Sequence, residues 1–463
     1  DVLYPDGAFS YHGFQNECFT YHQINVAQLA RYWQLTASEL ARQTVVKSRP
    51  YYPYNVEPGG VPEYYTDCFW KHYWGGVSAI GPEIVAGMTG CGQNRRIAKD
   101  ELRWDVPNGY YGIYAAGLYR PEIQDQPLPD GFLMYDRNVE GPRGRFGRWS
   151  FAGTTRFFGA GCQGKDTFVG GMVVDEPTRR YPLNAALQVV TNQYRLEPRK
   201  PAEGNCRRWR ECRYLSQDER NAVTIGQDFA TLTTRYRIQN VAWGGKSTPT
   251  EWVGNQQWIL TPQRLVGVLE IEPLSDQQAY SVHGRIRFGL EKEIQGEAEG
   301  RFAYGALRCR LHAHNYADVI TERSETFYLD TPEKSRSMEI VLRDRASIAT
   351  DEQTPLTYAK GTRQFFTVEV LPEWNTPAEQ VRRIATAEGL RGVEVCAGGH
   401  WLLLVHNPTD SMVALETTLT WAQGALALHA SGSHSATPQP LSASDARVKL
   451  HIPAHAHVVL EKR

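Results

Sequence analysis

A histidine and a tyrosine near the start of the chain, His12 and Tyr21, are nine positions apart. The histidine follows an Asp6-Gly7 turn, and the tyrosine begins an amphipathic segment. A neutral histidine and a tyrosine that accepts and returns a proton are the groups needed for β-elimination at a uronic acid. That reaction removes the proton at C5, beside the carboxylate, and expels the oxygen at C4. The pair therefore predicts chemistry on an acidic sugar chain.

The segments that must position this pair are mainly helical up to about residue 104. Apolar residues recur at close to helical period between Tyr21 and Leu40. A second helix is predicted over 77–88, although Gly81-Pro82 interrupts it. The stretch 49–60 is rich in proline and glycine, which predicts an ordered loop without a regular element.

From about Pro107 the pattern changes to short alternating runs bounded by turn residues, which is typical of antiparallel β-sandwiches. The first run is 109–118, and a linker near 372–383 separates the later runs from a smaller set. A chain of 463 residues is expected to form two or three domains. We predict an α+β multidomain protein with three parts: helices over 1–104, a large antiparallel β-sandwich over 105–371 and a small C-terminal β-sandwich over 372–463.

Composition narrows the class of protein. Hydrophobic residues make up 41% and charged residues 22%, as in globular proteins. The chain has no apolar run of about 18 residues, so no membrane span is expected. A net charge of -1 argues against a general nucleic-acid binder. Aromatic residues, at 11%, suit a carbohydrate-binding protein, but β-sandwich cores are also rich in them.

The His12/Tyr21 pair, the Asp-Gly turn before it and the predicted order of domains together resemble polysaccharide lyase family 8, the hyaluronate, chondroitin and xanthan lyases. The resemblance implies an α/α toroid as the helical domain, an acidic polysaccharide as partner, and a secreted or periplasmic protein. Each helix pair of a toroid needs roughly 40 residues, so residues 1–104 supply only its C-terminal part. The preceding helices are expected to have been cut away, to be supplied by another chain, or to be absent in this protein.

The resemblance also assigns roles to single residues. In the family a tyrosine moves the proton, while an asparagine and a histidine neutralise the carboxylate. Tyr21 and His12 match the tyrosine and the histidine; the family's asparagine lies upstream of the histidine, and Asn16 does not occupy that place. A tyrosine with its ordinary pKa of about 10 is a poor base at neutral pH and needs a neighbouring cation. Arg49 is the candidate for the family's arginine, and the alternatives are Arg95 and Arg96.

A glutamate and a basic cluster complete the implied site. Glu140, which precedes a run of alternating Arg and aromatic residues, resembles the glutamate of chondroitin-ABC-type lyases. The following Arg143, Arg145 and Arg148 are expected either to face the acidic substrate or to form a solvated surface. The predicted substrate-binding residues are Asn16, Arg95, Arg96, Arg145, Trp70 and Trp74. This chemistry requires no cofactor and no metal.

Other interpretations stay open. A non-catalytic carbohydrate-binding subunit is favoured by the missing asparagine and the incomplete toroid. A hydrolase would need paired carboxylates, and Glu57 and Glu63 are the nearest to that pattern. His312 and His314 share one face of a predicted strand and suit a metal, but a clear third ligand is missing. The histidines of the C-terminal part show no ligand pattern.

The eight cysteines are too few for a disulfide scaffold. Cys206 and Cys212 bracket a polar stretch and are predicted to close a short disulfide if the protein matures in an oxidising compartment. Cys18, Cys68 and Cys91 lie in the helical part and are predicted to be buried free thiols.

Overall fold

A computed structural model describes most of the chain, namely residues 3, 6–11, 14–17, 19–57, 61–62, 79–100, 109–136, 141–154, 168–176, 179–196, 206–212, 220–240, 248–288, 292–297, 300–325, 336–344, 354–372, 381–384, 389–397, 399–432, 437–443 and 446–463. Most of this part is antiparallel β-sheet, and its α-helices fall between residues 19 and 117. Within it, each helix is too short or too polar to cross a membrane.

The helices form a layer at the N-terminal end of the described chain. Their bounds are α1 Phe19–Thr36, α2 Glu39–Lys47, α3 Tyr51–Tyr54, α4 Ile80–Thr89, α5 Gly92–Asp100 and α6 Gly109–Gly117. Two short antiparallel hairpins accompany them, β1 Ser10–Tyr11 with β2 Phe14–Glu17 and β3 Val56–Glu57 with β4 Val61–Pro62. Ser38 caps α2 by accepting a hydrogen bond from the Ala41 amide at 3.4 Å. Gly90 ends α4 in the left-handed conformation.

The helical layer has its own hydrophobic core, in which α1, α4 and α6 each contact the other two. On α1, the buried Val26, Ala27 and Ala30 lie on one helix face at the predicted period. On α6, Ala115 is fully buried in the same core. The run 109–118, expected as the first strand of the large sandwich, is therefore a helix, and the helical part extends beyond residue 104.

Two prolines lie inside helices without breaking them. The stretch 49–60, predicted to lack regular structure, contains the helix α3, in which Pro53 is the third residue. Pro82 is the third residue of α4, which begins at Ile80 within the predicted range 77–88. Amide groups of the first helical turn have no partner inside the helix, so proline sacrifices no hydrogen bond there.

The large sandwich begins with a nine-stranded antiparallel sheet. Its strands run in the order β20-β21-β16-β9-β8-β7-β6-β5, and β10 also pairs with β9. Their bounds are β5 Phe132–Asp136, β6 Gly141–Phe146, β7 Trp149–Thr154, β8 Phe168–Glu176, β9 Arg179–Leu196, β10 Cys206–Cys212, β16 Ser281–Phe288, β20 Asp318–Glu325 and β21 Arg336–Arg343.

An eight-stranded sheet faces it, in the order β11-β12-β13-β14-β23-β19-β18-β17. The bounds are β11 Arg220–Ile225, β12 Ala230–Asn240, β13 Thr248–Thr261, β14 Arg264–Pro273, β17 Gln295–Gly296, β18 Arg301–Tyr304, β19 Leu307–His314 and β23 Gln364–Leu371. A small ribbon pairs β15 Gln277–Ala279 with β22 Leu356–Tyr358. Trp149 from the first sheet and Trp258 and Phe366 from the second are buried in one shared core.

The small sandwich consists of a six-stranded sheet and a two-stranded ribbon. The sheet has the order β24-β25-β26-β31-β28-β29, and the ribbon pairs β27 with β30. The bounds are β24 Val381–Ile384, β25 Arg391–Ala397, β26 His400–His406, β27 Val413–Thr418, β28 Gly424–Ala430, β29 Gln439–Ala443, β30 Arg447–Ile452 and β31 His457–Lys462.

The six-stranded sheet is covered on both faces. Leu403 and Val405 of β26 point into the core of the small sandwich, whereas Leu402 and Leu404 pack on the large sandwich. This explains the uninterrupted apolar run in β26, because both faces of the strand are buried. The contact also contains buried His457, whose Nδ1 lies 2.8 Å from the hydroxyl oxygen of Thr233. Burial lowers the pKa of His457 to about 3.

The cysteines divide between a confirmed prediction and a wrong one. Cys91 is a buried free thiol, as predicted, whereas Cys18 and Cys68 lie outside the described residues. Cys206 and Cys212 lie at opposite ends of β10. A strand rises about 3.3 Å per residue, so their Cα atoms are roughly 20 Å apart. A disulfide requires about 4.4–6.8 Å, so the predicted pairing is wrong.

Candidate active site

The Asp6-Gly7 turn is packed against the C-terminal end of α2. The Asp6 carboxylate accepts a hydrogen bond from the Ala8 amide at 3.1 Å, which closes the turn. Gly7 has a φ of 89°. A Cβ atom at Gly7 would lie 2.5 Å from the carbonyl oxygen of Lys47, so the close contact requires glycine.

His22, in the first turns of α1, joins this helix to the Asp-Gly turn. Its Nε2 lies 3.1 Å from the Gly7 carbonyl oxygen, and its Nδ1 lies 3.0 Å from the Tyr52 hydroxyl. A carbonyl only accepts, so Nε2 carries the hydrogen, and Nδ1 accepts one from Tyr52. The ring also stacks on Tyr51 at 3.8 Å between centroids. Burial lowers the pKa of His22 to about 3, so the ring is neutral at neutral pH.

The contact between His22 and Gly7 involves the segments that carry both predicted catalytic residues, His12 and Tyr21. Tyr21 directly precedes His22, and the backbone of Tyr21 belongs to the first turn of α1. The paired strands β1 and β2 lie on either side of His12 and Gly13 in the sequence. His12 itself and the side chain of Tyr21 lie outside the described part of the chain. His22 therefore fixes the helix that carries Tyr21 against the turn that leads to His12.

The burial of His22 has a recognisable signal in the sequence. His22, Val26 and Ala30 are spaced by four residues, which places them on one face of a helix. All three are buried in the structure. A histidine on an apolar helical stripe is thus the signal for a buried ring that needs hydrogen-bond partners on both nitrogens.

Acid should destabilise the helical layer through His22. The folded protein holds its pKa at about 3, below the ordinary 6.5, so the unfolded chain binds the proton more tightly. The contribution of neutral His22 to the free energy of unfolding is therefore fully present above pH 6.5, and it is lost as the pH falls towards 3. We expect His22 to contribute about 3 kcal/mol to the decrease in unfolding free energy between pH 7 and pH 4.

Urea unfolding of the wild type and of His22→Phe at both pH values measures this contribution. The variant should be less stable at pH 7, because Gly7 and Tyr52 lose their partner, but its stability should depend less on pH. An equal pH dependence in both proteins would exclude His22 as the titrating group.

Arg49, the candidate cation for Tyr21, lies exposed just after α2. Its carbonyl oxygen accepts a hydrogen bond from the Asn94 side chain at 3.0 Å. Burial raises the pKa of the Cys91 thiol, but hydrogen bonds from Asn94 and Arg49 outweigh it and lower that pKa below its ordinary value. Arg49 therefore lies beside Cys91, and its predicted contact with Tyr21 stays a prediction.

The two alternative arginines lie in different environments on α5. Arg95 is buried and donates to both carboxylate oxygens of Glu83 at 2.6 Å, and to the Arg120 carbonyl at 2.9 Å. It joins α4 to α5, so its position gives no support to a substrate contact. Arg96 is exposed and lies 3.7 Å from Asp125. A role for Arg96 in binding stays a prediction.

The basic surface expected from Arg143, Arg145 and Arg148 is not formed, because the first two are buried. Arg143 pairs with buried Asp136 at 2.7 Å. Arg145 donates to the carbonyl oxygens of three residues: Pro53 at 3.2 Å, Pro129 at 2.7 Å, and Val56. Arg145 thus anchors strand β6 to the helical layer. Arg143 and Arg145 are two positions apart on β6, so both side chains project from the same face of the strand, and that face is covered.

Several predicted site residues fall outside the part of the chain that the structure describes, in whole or for their side chains. Glu140, Trp70, Trp74 and Glu63 lie outside the described residues. For two more, only the backbone is described, with Asn16 on β2 and Glu57 on β3. Their predicted roles stay predictions.

The two histidines of the His-x-His motif do not act together. His312 lies 2.9 Å from Glu369, a buried carboxylate that also pairs with Arg264 at 2.7 Å. His314 is exposed at the end of β19. A register shift between Leu311 and Ala313 interrupts the alternation on which the predicted shared face depended.

No family model matches this chain, and a search of curated proteins found no match. Three polysaccharide lyases are among the similar solved structures. The chondroitin AC lyase of Streptomyces coelicolor A3 has a TM-score of 0.49 and 12% identity, over 100% of this chain and 72% of that one. Heparan sulfate lyase HepC of Pedobacter heparinus has a TM-score of 0.38 and 9% identity, over 85% and 66%. A Paenibacillus xanthan lyase has a TM-score of 0.25 and 8% identity, over 100% and 64%. These TM-scores lie below 0.5, so no activity is assigned from them.

Proposed function

We propose that this chain belongs to a polysaccharide lyase that cleaves a uronic-acid-containing acidic polysaccharide by β-elimination. The observation that carries the proposal is the connection through His22, whose Nε2 lies 3.1 Å from the Gly7 carbonyl oxygen. This contact fixes the helix of Tyr21 against the turn before His12. The helix whose backbone includes Tyr21 and the turn that precedes His12 in the sequence thereby belong to one packed unit.

The proposed proton path begins and ends at Tyr21. The tyrosine, with its pKa lowered by a neighbouring cation, removes the C5 proton as a base. The electron pair of the broken C–H bond forms the C4–C5 double bond while the C4–O bond breaks. The tyrosine hydroxyl then returns the proton to the departing oxygen, and the side chain regains its starting state. His12 donates to the substrate carboxylate, on which negative charge develops.

The remaining residues have supporting roles in this proposal. Arg49 supplies the cation beside Tyr21, and Glu140 orients the pair. The residues proposed to bind the glycan are Asn16, Arg96, Trp70 and Trp74. Arg95 and Arg145 are left out, because both donate to partners inside the protein.

Tyr21→Phe tests the proposal, with Tyr32→Phe as the matched control. Tyr32 lies on the same helix and is 55% exposed, so the loss of its hydroxyl should leave turnover unchanged. The unsaturated uronate absorbs in the ultraviolet, and its formation is followed across a panel of acidic polysaccharides. We expect Tyr21→Phe to lower turnover by about 100-fold to 10,000-fold and to keep glycan affinity. The assay uses this chain alone and, as a second form, this chain joined to any helical segment that is encoded upstream of it.

Two outcomes would contradict the proposal. An ultraviolet signal that persists in Tyr21→Phe would remove Tyr21 from the chemistry. Glycan binding without any unsaturated product, with and without the upstream segment, would identify a non-catalytic carbohydrate-binding subunit instead.

A further inference from the structure

Three ionisable side chains project from one face of the small sandwich. Glu461 on β31 is paired in register with Leu402 of β26 and with Ala427 of β28. His400 and His429 lie two positions away from those partners, and two positions along a strand lead back to the same face. The Nε2 atoms of His400 and His429 consequently lie 3.0 Å and 2.7 Å from the two carboxylate oxygens of Glu461.

The large sandwich adds a second carboxylate to this group. Asp228 lies in the turn between β11 and β12, which is closed by a hydrogen bond of 2.8 Å from Gly226 to Phe229. Asp228, His400 and Glu461 each offer one ligand atom, and these atoms lie within 4.8 Å of one another. Among the described residues, this is the group of three that meets that condition. The group contains one residue of the large sandwich, Asp228, and two of the small sandwich, His400 and Glu461.

The donor types suit a metal ion. Imidazole nitrogen and carboxylate oxygen bind Zn²⁺ at about 2.0–2.2 Å, so neighbouring ligands in a tetrahedral shell are roughly 3.3 Å apart. In this structure His400 Nε2 lies 3.0 Å from Glu461, and the other ring nitrogen, Nδ1, lies 3.9 Å from Asp228. One imidazole nitrogen binds one metal ion, so rotation of the His400 ring has to accompany binding to both carboxylates.

Glu461 is prepared for this role by its surroundings. Its carboxylate accepts hydrogen bonds from His400, His429 and Arg463, which fix its orientation. His429 binds the oxygen of Glu461 that His400 does not contact, as partners of metal-binding carboxylates commonly do.

We propose that Asp228, His400 and Glu461 bind one divalent transition-metal ion of the zinc type, and that His429 orients Glu461. A cavity of about 1050 Å³ adjoins the site and is lined on its polar side by Gln227, His429, Glu461 and Arg463. Water from this cavity can fill a fourth coordination position. The site is separate from the proposed lyase chemistry, which requires no metal.

Arg463 competes with the metal for the same oxygens. Its guanidinium lies 2.6 Å from Glu461 Oε1 and 2.9 Å from Asp228 Oδ1, and it also donates to Gln227 at 2.8 Å. The Arg463 side chain is 48% exposed, so it can move into solvent when a metal binds. This competition predicts that removing the guanidinium strengthens metal binding.

The test is titration of the metal-free protein with Zn²⁺ alone, followed by calorimetry and by metal analysis after dialysis. We expect one zinc ion per chain. His400→Ala and Asp228→Asn should each weaken binding at least about tenfold, because each removes a ligand. Arg463→Ala should tighten binding several-fold. His451→Ala is the control, since His451 is an exposed histidine on β30 outside the group.

The gain in Arg463→Ala keeps the test independent of folding defects, because a misfolded variant does not bind more tightly. The proposal is overturned if the wild type retains no stoichiometric zinc. It is also overturned if His400→Ala binds like His451→Ala, or if Arg463→Ala weakens binding.

Discussion

Gly7→Ala is expected to lower turnover on the acidic polysaccharide about 100-fold and to destabilise the helical layer. The φ of 89° at Gly7 lies in the left-handed region, which costs other residues about 1–2 kcal/mol. An added Cβ would also lie 2.5 Å from the Lys47 carbonyl oxygen and 2.7 Å from the Ser48 Cα. Both are backbone atoms, so the Asp-Gly turn itself must move. A displacement of about 1 Å at reacting groups costs about 100-fold in rate.

Gly90→Ala separates the cost of the backbone conformation from the cost of the clash. Gly90 has a similar φ of 74°, but an added Cβ would meet nothing within 4 Å. This variant should lose about 1–2 kcal/mol of unfolding free energy and keep its turnover. Urea unfolding and the ultraviolet assay are applied to both variants. If Gly7→Ala behaves like Gly90→Ala in both, the packing of the turn does not position the site.

Arg145→Ala should separate the first strands of the large sandwich from the helical layer. The substitution leaves the carbonyl oxygens of Pro53, Pro129 and Val56 without their donor. Hydrogen bonds to a charged group contribute about 1.5–3 kcal/mol each, and part of this is offset because no guanidinium is buried any longer. We expect a loss of about 3 kcal/mol, seen as a lower urea midpoint. Lysine should not restore it, because one ammonium does not reproduce the planar fork of donors.

The comparison with Arg42→Ala makes this result specific. Arg42 pairs with Glu39 on the surface of α2, and both side chains are exposed. Its loss should change stability by less than about 1 kcal/mol. A raised KM in Arg145→Ala with unchanged stability would instead show that Arg145 binds substrate, as its sequence context first indicated.

The sequence was most informative where one local pattern dominated. The apolar period in α1 predicted its helix, since a stripe such as Val26 and Ala30 is visible without knowledge of its partner. The strand predicted over 109–118 is wrong because Tyr110, Tyr111 and Tyr114 favour a strand locally. In the structure this run is a helix, and its Ala115 is buried in the core of the helical layer. That contact is made with residues distant in sequence, so the local pattern does not show it.

The candidate sites also differ in whether a local sequence pattern reveals them. The His12/Tyr21 spacing is readable because both residues lie close together in the chain. The group of Asp228, His400 and Glu461 is not, because its members are brought together by the strand order β26-β31-β28 and by contact between two sandwiches. The inward position of Arg145 likewise depends on the helical layer that covers β6, which no local pattern reports.

The place of β31 between β26 and β28 also sets an order of events in time. Both neighbours are synthesised earlier and keep open edges until β31 arrives, and open edges favour pairing with other chains. The sheet of the small sandwich therefore cannot be completed strand by strand during synthesis. Because β31 carries both His457 and Glu461, its insertion closes the sheet, docks it on the large sandwich and completes the proposed metal site in one late step.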